Sequence, residues 1–150
     1  MKILFVCAAN ITRSFMAERI LKNKLAKNGR HDIEVASAAL SDMKEAAADP
    51  SAVDILKKNG FSADGHKSRL LTADMVNESD MIIVMEKLQK ELIARRYPGS
   101  DGKLFLLKSF SRDFDDADQD IRDCFNRSSY HYRLCLSEIC LSVEGLMKCI

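Results

Sequence analysis

Apolar residues in this chain gather in short unbroken runs, and the stretches between them carry apolar positions three and four apart. Residues 3–6 (Ile-Leu-Phe-Val) and 81–85 (Met-Ile-Ile-Val-Met) show no alternation of apolar and polar positions. Such runs predict strands buried on both faces, as in a parallel sheet. Residues 33–36 and 104–107 predict two further strands. Ala17, Ile20, Leu21 and Leu25 share one face of a helix predicted over 14–28, with Gly29 as its stop. Asp49-Pro50 reads as a helix cap followed by proline at the first helical position, and Val53, Leu56 and Gly60 complete that helix. Leu88, Leu92 and Ile93 predict a helix over 86–96, and Pro98-Gly99 closes it. Residues 128–150 carry Leu136, Ile139, Cys140, Val143, Leu146 and Met147 at helical spacing. Strands alternating with helices predict an α/β fold, a three-layer α/β/α arrangement around a central four-stranded parallel sheet. No repeat or linker interrupts the pattern, so one domain over 1–150 is expected.

Composition adds little to this picture and excludes several partners. The 150 residues are 47% hydrophobic and 30% charged, with a formal net charge of +1. That balance calls for neither nucleic acid nor an anionic membrane surface. The apolar runs are too short to span a bilayer. The first nine residues resemble a secretory signal only superficially: Asn10 and Arg13 follow at once, and Lys22, Lys24 and Lys27 continue in an amphipathic helix. A cytoplasmic location is expected. The cysteine count agrees, because five residues at irregular spacing (Cys7, Cys124, Cys135, Cys140, Cys149) make no disulfide framework. No Cys-x-x-Cys pair suggests zinc or a dithiol redox motif, and no metal or other cofactor is expected.

The candidate chemistry lies where the first strand meets the first helix. In open parallel α/β sheets ligands bind outside the carboxyl ends of the strands. Cys7 to Arg13 occupies that position, so a phosphate-binding loop after strand 1 is predicted. Backbone N–H groups of Ala8, Ala9, Asn10, Ile11 and Thr12, with those of the helix start, would form an anion-binding concavity. Donors so arranged favour a thiolate at Cys7, and Ser14 lies close enough in sequence to hydrogen-bond it. Arg13 brings a planar fork that matches two phosphate oxygens at once. The spacing Cys-x5-Arg therefore describes a cradle for a tetrahedral oxyanion, with a nucleophile at its base. A buried hydrophobe at Cys7 is the plainer reading, and the strand–loop–helix setting weighs against it.

These residues resemble the low-molecular-weight protein tyrosine phosphatases. That family's signature is Cys-x-Gly-Asn-x-Cys-Arg-Ser-Pro, and it stands here as Cys7-Ala8-Ala9-Asn10-Ile11-Thr12-Arg13-Ser14-Phe15. The likeness continues in order through Met16-Ala17-Glu18, residues 35–39, Asp49-Pro50, residues 65–70 and residues 79–85. Three departures stand out. Ala9 replaces a glycine, which would matter if that position needs an unusual backbone. Thr12 replaces the second loop cysteine, so the protective disulfide of some members cannot form. Phe15 replaces a proline, leaving helix entry to packing.

The resemblance implies a general acid in a late Asp-Pro loop, and this chain has no Asp-Pro there. Residues 113–123 instead hold six aspartates. A calcium loop starting at Asp116 fails, since Ile121 replaces its glycine and Arg127 its terminal glutamate. Asp120-Ile121-Arg122-Asp123-Cys124-Phe125 resembles the family's Asp-Ile-Pro-Asp-Pro-Phe. It singles out Asp123 as the acid, with Asp120 as its competitor. Phe125 is expected either to wall the pocket or to join the core, and Tyr132 matches a helix tyrosine of the family. The resemblance also implies a loop-supporting network of Asn10, Ser14, Ser37 and His66.

The implied activity is two-step phosphoryl transfer from phosphotyrosine in a protein, or from a small phosphomonoester, through a phosphocysteine on Cys7. Arg13 and the loop amides would hold the oxygens while Asp123 serves as acid and then base. Inorganic phosphate or a similar oxyanion is expected to fit the loop. Ile11 favours phosphotyrosine, since related protein-arginine phosphatases tend to have threonine there. An arsenate reductase of this fold would need two further mid-chain cysteines, and none lies between Cys7 and Cys124. A phosphocysteine-carrying transport subunit has no use for Arg13. An inactive phosphate- or phosphoprotein-binding module is the reading from another class.

Overall fold

β1 (Lys2–Cys7) is an interior strand, flanked by β2 (Glu34–Ala39) on one side and β3 (Met81–Val84) on the other, with β4 (Leu104–Leu106) beyond β3. A computed structural model describes residues 1–113 and 115–150. All three strand pairings are parallel, with Cys7 opposite Ala39 and Val6 opposite Val84. The two faces of β1 follow from the twofold alternation of side chains. Ile3, Phe5 and Cys7 enter one core, which includes residues of α1 (Arg13–Lys27) and α5 (Ser129–Leu146) and, from α2 (Pro50–Lys58), Ala52 and Leu56. Leu4 and Val6 enter the other, with Val76 of α3 (Ala73–Glu78) and Ile93 of α4 (Lys87–Arg96). The predicted parallel four-stranded sheet with helices on both faces is therefore present. The unalternating strand sequences are explained, because both faces are covered.

Some boundaries differ from the sequence pattern for identifiable reasons. β2 runs three residues further than its apolar run, because Ser37, Ala38 and Ala39 pair in register with Phe5, Val6 and Cys7. Pairing, not side-chain apolarity, makes that segment a strand. α3 escaped prediction because six residues are too few to show a period; the Thr72 hydroxyl caps it, accepting from Met75 N–H at 3.2 Å. Asp49 caps α2 as expected, accepting from Ser51 N–H at 3.1 Å. No helix among the described residues is long and apolar enough to cross a membrane.

Gly145 gives a sharp test of this packing. A Cβ built there would lie 1.7 Å from the Phe110 carbonyl oxygen. In an open helix, glycine to alanine would stabilise by up to about 1 kcal/mol. Here the backbone of α5 must move, and Gly145→Ala is expected to destabilise the chain by about 3 kcal/mol. The urea midpoint should fall accordingly, and an unchanged midpoint would contradict this close approach.

The strand order also decides where a ligand can enter. From β1 the chain crosses to β2 on one side and later returns to β3 on the other. The carboxyl end of β1 is thus the switch point of the sheet, where the two connections diverge and leave a crevice. Residues 8–12 lie there.

Candidate active site

The loop after β1 is built around the Cys7 sulfur. Asn10 N–H donates to Cys7 Sγ at 3.3 Å, and Ser14 Oγ lies 3.0 Å from the same sulfur. Ser14 Oγ already accepts from Asn10 Nδ2 at 2.8 Å, so its own hydrogen is free to point at Cys7. Asn10 adopts the left-handed backbone (φ 56°), a conformation that asparagine tolerates better than most residues. Ala9 is not among the positive-φ residues, so alanine in place of glycine strains no left-handed turn. Among the described residues, the N–H groups of Ala8, Ala9, Ile11, Thr12 and Arg13 donate to no protein acceptor. The start of α1 carries neither a side-chain cap nor an acidic residue. These donors line a concavity suited to an oxyanion.

Several contacts from outside the loop hold its shape. His66 Nε2 lies 2.6 Å from the Asn10 carbonyl, Ser68 Oγ donates to the Ala9 carbonyl at 2.7 Å, and Arg69 N–H donates to Asn10 Oδ1 at 3.1 Å. Because a carbonyl only accepts, His66 carries its proton on Nε2. Burial lowers the His66 pKa, which favours the neutral ring. Phe15 is fully buried and packs on His66 with ring centroids 4.5 Å apart, while the Arg19 guanidinium carbon lies 5.4 Å from the Phe15 ring centroid as a cation–π partner. Packing thus sets the helix entry in place of proline. Ser37 takes a different part from the one expected. Its hydroxyl donates to the buried Glu18 carboxylate, two positions short of the end of β2, and Ser68 makes the serine contact to the loop.

Arg13 is 2% exposed and fixed from behind. Its Nη1 donates to Glu86 and, at 2.8 Å, to the Ile121 carbonyl, while Nη2 faces Asp123 Oδ2 at 3.7 Å. Burial opposes the charge, but Cys7, Glu86 and Asp123 outweigh it, so the Arg13 pKa lies above its ordinary value. Asp123 also accepts from Phe125 N–H at 3.0 Å, which shapes the turn that carries it. Asp120 is directed elsewhere, accepting from Lys87 N–H at 2.8 Å at the start of α4. Cys7, Arg13 and Asp123 line one small cavity of about 120 Å³, walled by Ile11, Met43 and Phe125. A larger cavity of about 550 Å³ lies between α2 and α5 and contains none of these three groups. No cluster of three potential metal-binding side chains occurs among the described residues.

Two parts of the site were not read from the sequence. Glu86 stands two residues after β3, and its position at a strand's carboxyl end was the available signal. Asp49 does more than cap α2. Its Oδ2 accepts from Thr12 Oγ1 at 3.1 Å and from Tyr132 Oη at 2.6 Å, and its N–H donates to the Ile11 carbonyl at 2.9 Å. Burial and the Asp49 hydrogen bond push the Tyr132 pKa up to about 12, so the phenol remains a donor. Thr12 therefore spends its hydroxyl on Asp49 and leaves the first-turn amides of α1 uncapped.

Comparison with known proteins agrees over nearly the whole chain. The profile of the family described as low molecular weight phosphotyrosine protein phosphatase matches residues 2–150. The chain is 36% identical over 116 residues to a protein of Ralstonia nicotianae named "Probable low molecular weight protein-tyrosine-phosphatase EpsP", covering 77% of this chain and 76% of that one. It is 32% identical over 147 residues to a protein-arginine-phosphatase of Geobacillus stearothermophilus, covering 98% and 94%. The crystal structure of the Erwinia amylovora tyrosine phosphatase amsI superposes with a TM-score of 0.89 at 31% identity, covering 99% of this chain and 92% of that one.

Proposed function

The chain belongs to the low molecular weight phosphotyrosine protein phosphatase family, and from that premise we propose that it hydrolyses phosphotyrosine in proteins through a phosphocysteine on Cys7. The observation that carries this reading is the convergence of Cys7, Arg13 and Asp123 on one cavity. The Cys7 thiolate attacks phosphorus in line with the leaving oxygen. Arg13 Nη2 and the unpaired loop amides bind the three equatorial oxygens, supplying the electrostatic stabilisation on which phosphoryl transfer depends. Asp123 gives its proton to the departing phenolate and then takes one from the water that attacks phosphocysteine. Ser14, donating to the sulfur, stabilises the thiolate as it forms again. Ile11, Met43 and Phe125 offer apolar walls for an aromatic ring.

The first experiment is hydrolysis of p-nitrophenyl phosphate with vanadate as competitor. Turnover inhibited by vanadate is expected; binding of vanadate without turnover would favour the inactive binding module. Asp123→Asn should lower kcat/KM on phenyl phosphate by roughly 10²- to 10⁴-fold, the usual worth of a general acid. The loss should be smaller on p-nitrophenyl phosphate, whose leaving group needs less protonation. Full activity in Asp123→Asn together with a loss in Asp120→Asn would transfer the role to Asp120.

The likeness to a protein-arginine-phosphatase over 98% of the chain favours one second reading, phosphoarginine as substrate. A comparison of kcat/KM on phosphotyrosine and phosphoarginine peptides separates the two.

A further inference from the structure

A second pair of cysteines stands outside the chemistry described above. Cys124 follows Asp123 in the acid loop, and Cys135 lies on α5. Both are buried in the same core and both carry free thiols. Buried cysteines are commonly inert packing residues, but two features set this pair apart. The neighbouring Cys135 thiol pulls Cys124 below the usual thiol range, while Cys124 and burial together push Cys135 above it. They also share the wall of a cavity of about 240 Å³, bordered by Arg122, Tyr130 and Leu134, which has room for a small oxidant.

We propose that Cys124 and Cys135 form a reversible disulfide in response to hydroperoxide, a modification site that ties the acid loop to α5 and lowers turnover. Cys124 is the attacking sulfur, because its thiolate is the one its partner stabilises. Its thiolate displaces hydroxide from hydrogen peroxide and becomes a sulfenic acid. Cys135 then attacks that sulfur, a disulfide bond forms, and the sulfenic oxygen leaves as water with the Cys135 proton. The two sulfurs lose two electrons in total, and the peroxide gains them. A disulfide holds its sulfurs about 2 Å apart, closer than any non-bonded approach. Closing that bond draws Cys124 and α5 together, and movement of Cys124 carries the adjacent Asp123 away from its present 3.7 Å approach to Arg13 Nη2. The pairing chemistry stands independently of the role of Asp123, whereas the effect on turnover rests on the function proposed above.

Peroxide treatment of Cys7→Ser tests the pairing without oxidation of the nucleophile. That chain keeps four thiols of the five. The count should fall to two, with tryptic peptide 123–127 joined to 134–148 at Cys135, and dithiothreitol should restore it. A count that stays at four, or a link at Cys140 or Cys149, overturns the proposal. The second arm uses the wild-type chain with inorganic phosphate shielding Cys7. A displacement of about 1 Å at a reacting group costs on the order of 10²-fold, so peroxide should reduce turnover tenfold or more and dithiothreitol should recover it. Cys135→Ala should lack that recoverable loss. A mapped disulfide with unchanged turnover refutes the regulatory part. If the untreated chain hydrolyses no phosphoester, the functional reading fails while the mapped link still stands.

Discussion

Cys7→Ser is expected to abolish turnover, lowering kcat by roughly 10⁴-fold or more, as removal of a covalent nucleophile does elsewhere. The two donors that meet the sulfur, Asn10 N–H and Ser14 Oγ, stabilise a thiolate. A serine hydroxyl is far less acidic, and these two donors alone will not ionise it. The rest of the cradle survives the change, because the unpaired amides of Ala8, Ala9, Ile11 and Thr12 belong to the backbone. Vanadate or phosphate binding should therefore persist within a few fold while hydrolysis of p-nitrophenyl phosphate disappears. Retention of one-tenth of wild-type turnover in Cys7→Ser would sink the covalent mechanism. Loss of anion binding together with turnover would instead point to a collapsed loop, which circular dichroism and thermal unfolding would reveal.

Arg13→Lys should be almost as damaging, lowering kcat/KM by roughly 10³-fold. Lysine keeps the charge and loses the geometry. The guanidinium donates from one nitrogen to Glu86 and the Ile121 carbonyl while its other terminal nitrogen remains directed towards Asp123 and the cavity. An ammonium is a single point and cannot serve both directions at fixed angles. The substitution also releases a tie between α1 and the loop that carries Asp123, since the buried Ile121 carbonyl loses its side-chain donor. A fall in thermal midpoint should accompany the kinetic loss, because a buried carbonyl left unpaired costs about 1–3 kcal/mol. Activity within tenfold of wild type would show that the planar fork is dispensable.

The legible parts of the site share one property: their residues are neighbours in the chain. Cys7, Asn10, Arg13 and Ser14 lie within eight positions, so a strand signal, a helix signal and the residues between them were enough to outline the cradle. The partners of that cradle were legible only in part. His66 lies against the Asn10 carbonyl, whereas Ser37 turns to Glu18 and Ser68, which the sequence did not single out, donates to the Ala9 carbonyl. Ser37 lies mid-strand opposite Phe5, and its side chain turns to Glu18. Ser68 approaches Ala9 because the segment around it runs past the end of the sheet, through the Ala39–Leu70 bridge. No periodicity marks such a segment, since it belongs to neither helix nor strand.

Local patterning determined the succession of strands and helices, the burial of both sheet faces and the Cys7-to-Arg13 loop, because hydrophobic period and covalent adjacency act over a few residues. The tertiary structure decided what stands over that loop. The order β2-β1-β3-β4 brings the carboxyl ends of β1 and β3 side by side. Glu86 thereby reaches Arg13 across 73 positions and the Ile121 carbonyl reaches it across 108. It also made Asp49, while still the α2 cap, the acceptor joining Thr12 to Tyr132, and set Asp123 rather than Asp120 beside the guanidinium. These choices come from packing two helical layers onto one twisted sheet, and side chains so distant in sequence share no local signal that would announce their meeting.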